Sequence, residues 1–145
     1  MKVIALKGTH NTGKTETIIE LYNLLVGDID SYQLVKSKYS VFGKKKQSPP
    51  LGRDFFAIFE NKKHKVGISS YGDNYEIIIK SLKEFEKQEC DIVITACLTK
   101  GNTHSAIKEY DCNPIFIDKT KIEPKNRTKL NLADAKIIKS TLDSM

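Results

Sequence analysis

The chain reads as an α/β protein with a mostly parallel sheet, covered by helices and interrupted by one inserted antiparallel hairpin. Three observations predict this. Apolar runs of strand length alternate with segments of helical period in the order β-α-β-β-β-α-β-α-β-α. A glycine-bearing turn joins the first apolar run to the first helical segment. Two further apolar runs, 55–59 and 65–69, are separated by little more than the polar turn Asn61-Lys62-Lys63, the spacing of a hairpin.

Each element has its own signal. Lys2 to Leu6 is a first strand around Val3-Ile4-Ala5-Leu6, and an amphipathic stretch from Lys14 to about Val26 is the first helix. Ser31 to Lys36 alternates as a second strand. Ser37 to Gly52, with three consecutive lysines and Pro49-Pro50, has the composition of a loop. After the hairpin, Asp73-Asn74-Tyr75-Glu76 reads as a capping box opening a helix to about Glu89, with Asp73 as its cap. Asp91 to Ala96 is a strand of buried type, Gly101 to Tyr110 a short helix, and Pro114 to Ile117 the last strand. A final helix runs from Asn131, its expected cap, to about Asp143. No repeat, low-complexity tract or linker divides the 145 residues, so a single domain over 1–145 is expected.

Composition is that of an ordinary globular protein, 39% hydrophobic and 29% charged. No apolar run approaches the ~20 residues that span a bilayer. Met1 leads straight into the first strand, so no signal peptide is expected. Cys90, Cys97 and Cys112 are odd in number and lack a C-x-x-C spacing, which reads as reduced thiols in a cytoplasmic protein. The net charge of +6 is concentrated, because residues 31–65 alone carry +7. Positive charge of this kind, with Tyr32, Tyr39 and Phe42 among the lysines, makes Lys36 to Arg53 a candidate surface for nucleic acid or another polyanion.

The most specific signal is Gly8-Thr9-His10-Asn11-Thr12-Gly13-Lys14-Thr15, a complete G-x-x-x-x-G-K-[ST] loop between the first strand and the first helix. Four fixed positions should match by chance about once in a few hundred sequences of this size. Gly8 and Gly13 let the backbone approach a phosphate chain closely. The peptide N–H groups of about Asn11 to Thr15 form an anion nest at a helix N-terminus. Lys14 suits the β- and γ-phosphates and the Thr15 hydroxyl suits Mg²⁺, while His10 and Asn11 lie where a γ-phosphate would sit.

On these residues the chain resembles the P-loop NTPase superfamily. The resemblance covers the first 26 residues or so and implies a three-layer fold of that type, with ATP and Mg²⁺ bound at Gly8 to Thr15. It also implies an acid that holds the metal. In a sheet of this kind the ligand lies beyond the carboxyl ends of the parallel strands. That rule selects Ser69, Ser70, Tyr71 and Asp73 after one strand, and Arg53 and Asp54 before its antiparallel neighbour. Asp73 is the preferred metal carboxylate, beside the alternative that it only caps a helix, and Asp54 is second. Arg53 and Arg127 are the only arginines and are candidate transition-state cations. His104, Cys97 and Cys112 fit no common zinc spacing.

No [NT]-K-x-D sequence follows the later strands, which makes ATP the default base over GTP. Three functions are compatible with these features. One is an ATPase whose hydrolysis moves the 70–73 loop or a partner. Another is a kinase for a nucleoside, nucleotide or polynucleotide, with Asp54 or Asp73 as base. The last is a non-catalytic ATP-binding module that docks on nucleic acid.

Overall fold

A computed structural model describes residues 1–10, 12–39 and 55–145. The chain forms β1 (Lys2–Lys7), α1 (Lys14–Gly27), β2 (Gln33–Tyr39), β3 (Phe55–Glu60) and β4 (Lys65–Ser69). These are followed by α2 (Tyr75–Lys87), β5 (Ile92–Cys97), α3 (Asn102–Tyr110), β6 (Ile115–Asp118) and α4 (Arg127–Asp143). The six strands make one sheet in the order β2-β3-β4-β5-β1-β6. β1 pairs in parallel with β5 and β6, and β4 with β5. β3 runs antiparallel to both β2 and β4, so it alone is reversed within the described sheet. The expected hairpin is therefore β3–β4, turned at Asn61, whose Oδ1 accepts from the N–H groups of Lys63 and His64.

The strand period of two sends alternate side chains to opposite faces. Ile4 and Leu6 of β1 pack with α1 and α4, whereas Val3 and Ala5 pack with α2 and α3. The result is three layers with a hydrophobic core on each side of the sheet. β5, buried along its whole length, is flanked by β1 and β4. Each of those two neighbours leads into a loop at the same edge of the sheet. Among the described residues no helix is long and apolar enough to cross a membrane.

Three expectations are corrected. β2 starts later and extends to Tyr39, because residues 37–39 pair with β3 across an irregularity between Leu34 and Lys36. The cap of α2 is Asn74, not Asp73: Asn74 Oδ1 accepts from Ile77 N–H at 3.2 Å. α4 begins a full turn earlier than Asn131, at Arg127 after Asn126. Asn131 has the residue type of a cap, but it is 2% exposed inside the helix and turned toward α1. Tertiary contact has overridden a local preference there.

Candidate functional site

The loop between β1 and α1 is held from several directions. Gly8 N–H donates to Cys97 O at 3.1 Å, which ties the exit of β1 to the end of β5. Thr12 Oγ1 donates to Thr9 O at 2.8 Å and closes the turn. Gly13 then adopts φ 87°, a left-handed conformation that favours glycine. A Cβ at that position would also lie 2.7 Å from Asn131 Oδ1. The first rung of α1 is Thr17 N–H to Gly13 O at 2.9 Å, and the N-cap residue Gly13 brings no side chain to that end. A helix N-terminus with a glycine at its cap suits an anion.

Lys14 is 7% exposed. Its Nζ donates to Gly8 O and Thr9 O, each at 2.8 Å, so the ammonium is folded back across its own loop. Asp73 Oδ1 lies 3.2 Å away, and the second oxygen of the same carboxylate lies 3.4 Å from His10 Nδ1. Asp73 therefore joins the β1–α1 loop to the β4–α2 loop. Gly72 makes this reach possible, since a Cβ there would sit 2.6 Å from Ala96 Cβ and 2.9 Å from the Ala96 carbonyl carbon. The remainder of the loop is stitched to its surroundings. Thr95 Oγ1 donates to Tyr71 O at 3.3 Å, Ser69 Oγ accepts from Tyr71 N–H at 3.2 Å, and Ser70 Oγ accepts from Phe55 N–H at 2.9 Å.

A cavity of about 150 Å³ is lined by Thr12 to Glu16 together with Asp73 and Arg127. A second hollow of about 90 Å³ lies between Lys14, Thr15 and the 70–74 loop. Thr15 and Asp73 border both, so the two expected metal residues share one site. Among the described residues no group of three or more His, Cys, Asp or Glu side chains could hold a metal. A hydroxyl, one carboxylate and phosphate oxygens are nevertheless a normal set for Mg²⁺, which keeps several waters. A larger hollow of about 410 Å³ lies along α2 beside Tyr75, Ile79 and Lys83. It contains none of the loop residues, so size does not choose the site here. No protein-family model, curated protein or solved structure matches this chain.

Arg127 reaches the cavity from the first turn of α4, with its Nε–Nη2 edge committed to Glu16. Nε donates to Glu16 Oε2 at 2.7 Å and Nη2 donates to Glu16 Oε1, a two-pronged pair. This guanidinium holds the Glu16 carboxyl below the usual range despite partial burial. Asn131 Nδ2 donates to Glu16 Oε2 at 2.9 Å, and Asn131 Oδ1 accepts from Thr17 Oγ1 at 3.2 Å. Glu16 and Asn131 were not legible as site residues. The one sequence trace is that Arg127 and Asn131 are four apart, on one face of a helix. Nothing local links them to residues 16 and 17.

One turn further along α4, Asp134 meets Lys119 at 2.8 Å with both side chains out of solvent, 2% and 0% exposed. Burial works to raise the Asp134 carboxyl, but Lys119 and Thr120 together hold it below the ordinary aspartate value of 3.8. Lys119 Cβ in turn lies 3.0 Å from where a Cβ on Gly8 would be. α4 therefore braces both ends of the loop.

Asn11, Arg53 and Asp54 lie outside the described residues, as does the Lys36 to Arg53 surface beyond residue 39. Cys97 is buried at the end of β5, where burial pushes its thiol up to about 12. Cys112 is exposed, and His104 Nε2 lies 2.7 Å from Leu98 O with its ring stacked on Phe116.

Proposed function

We propose that this protein is a small P-loop NTPase that binds Mg-ATP at Gly8 to Thr15 and cleaves its γ-phosphate. The observation that carries this reading is Lys14. A buried ammonium held by two loop carbonyls and a carboxylate, at the N-terminus of a helix whose cap is a glycine, is a cation prepared for a phosphate. In phosphoryl transfer a protein chiefly positions groups and offsets charge. Lys14 and the first turn of α1 do this for the phosphate chain, and His10 stands at the same end of the loop, against Asp73. Thr15 and Asp73 would hold Mg²⁺, which supplies Lewis-acid neutralisation of the phosphate oxygens when bound.

The test follows γ-labelled ATP with Mg²⁺, with and without nucleosides, nucleotides and 5′-hydroxyl oligonucleotides. Label released as free phosphate supports the ATPase, label on an acceptor makes the protein a kinase, and intact ATP removes the reaction. Two substitutions separate metal holding from helix capping. Asp73→Asn should raise the Mg²⁺ concentration needed for half-maximal turnover by about tenfold. Because Asp73 is half exposed, it should change stability by no more than about 0.5 kcal/mol. Asn74→Ala should do the reverse, lowering stability by about 1 kcal/mol with the Mg²⁺ requirement intact. Identical Mg²⁺ titrations for Asp73→Asn and the unaltered protein would remove Asp73 from the metal site.

A further inference from the structure

The loop cavity is lined by two ion pairs, Lys14 with Asp73 and Arg127 with Glu16. Given the Mg-ATP reading, on which this inference rests, the terminal phosphate goes to Lys14. Arg127 is then left for another part of the nucleotide. We infer that the Arg127 guanidinium is the platform on which the nucleobase stacks, and that the site takes purine nucleoside triphosphates with little regard to which purine.

The geometry of Arg127 favours a platform over a hook. Its Nε–Nη2 edge is committed to both oxygens of Glu16, which balances its charge and sets the orientation of its plane. Glu16 is held from behind by Asn131, and buried Asn131 by Thr17, so the plane is fixed before any ligand arrives. Its faces are not consumed by that pairing, and the side chain remains 45% exposed. A planar cation with a committed edge and an open face stacks well on an aromatic ring.

Stacking reads the π-face of a base, which all purines share, and not its hydrogen-bonding edge. A platform alone therefore extends the expected ATP to either purine.

The experiment is calorimetric titration of the full chain, in Mg²⁺, with ATP, GTP and inorganic tripolyphosphate. It is run on the unaltered protein, Arg127→Ala and Arg127→Lys, with a melting curve for each. The unaltered protein should bind ATP and GTP within about threefold of one another, and more tightly than tripolyphosphate. Both variants should lose about tenfold for ATP and GTP, and Arg127→Lys, which keeps a cation opposite Glu16 but lacks the plane, should lose nothing for tripolyphosphate. Tripolyphosphate binding weakened in Arg127→Lys as much as ATP binding would make Arg127 a phosphate hook and overturn the inference. Unchanged nucleotide affinity in both variants would overturn it too. Tripolyphosphate bound as tightly as ATP by the unaltered protein also overturns the inference, while leaving the phosphate loop standing. If none of the three ligands binds, the Mg-ATP reading falls, and the inference with it.

Discussion

Replacing Lys14 by alanine is expected to abolish turnover and to weaken Mg-ATP binding by at least about thirtyfold. Removing one partner of a buried, hydrogen-bonded charge pair costs about 2–5 kcal/mol, and the phosphate chain is the partner that would be left. The fold should survive. Asp73 is half exposed and can be solvated once Lys14 is gone, while the loop remains tied to β5 through Gly8 N–H and to itself through Thr12. Lys14→Met keeps the length of the side chain without its charge and should behave in the same way. Circular dichroism of both variants together with titration of Mg-ATP checks this. Full affinity in either would remove the phosphate-loop assignment altogether.

Asp134→Asn is expected to be the most destabilising of the substitutions considered, by about 3–5 kcal/mol, because it leaves the sealed Lys119 ammonium without its opposing charge, held only by neutral oxygens such as Thr120 O. In a domain of this size that corresponds to a fall in melting temperature on the order of 10 °C. The double variant Lys119→Met with Asp134→Leu should recover most of the loss, since apolar side chains of similar volume need no partner. A double variant as unstable as the single would show that hydrogen bonds to Thr120, rather than the ion pair, hold the β6–α4 loop.

The pH dependence follows from the direction of the Asp134 shift. A carboxyl whose folded value lies below 3.8 binds its proton more weakly folded than unfolded. Its stabilisation is therefore complete well above pH 3.8 and disappears as pH falls through the folded value. The stability gap between the unaltered protein and Asp134→Asn should be flat from about pH 5 to 8 and narrow below about pH 4. A gap unchanged down to about pH 3 would show that the charge of Asp134 is not what stabilises the loop. Lys119 packs beside Gly8, so nucleotide affinity should fall together with stability in this variant.

Much of this molecule is legible without coordinates. Strand and helix periodicity identifies nearly every element, because the apolar residues that build the two cores are the same ones that set the periods 2 and 3.6. The polar turn at Asn61 announces the β3–β4 hairpin, and eight consecutive residues announce the loop at Gly8 to Thr15. Those features are local, so a sequence can hold them entire. The placement of Asp73 at the carboxyl end of a parallel strand also follows from topology alone.

Tertiary structure decided what depends on residues far apart in the chain. Whether Asp73 caps α2 or meets Lys14 turned on Asn74 taking the cap and on Gly72 pressing against Ala96 of the neighbouring strand. That Asn131 lies inside a helix and braces α1, rather than starting one, depends on contacts more than a hundred residues away in the chain. The same is true of Arg127, whose commitment to Glu16 no spacing announces. Lys119 reads in sequence as one of many solvated lysines, yet it is the one sealed against Asp134. Periodicity reports which face of an element is buried. Which polar group meets which across that face is settled by packing and charge pairing between elements, and no local pattern encodes it.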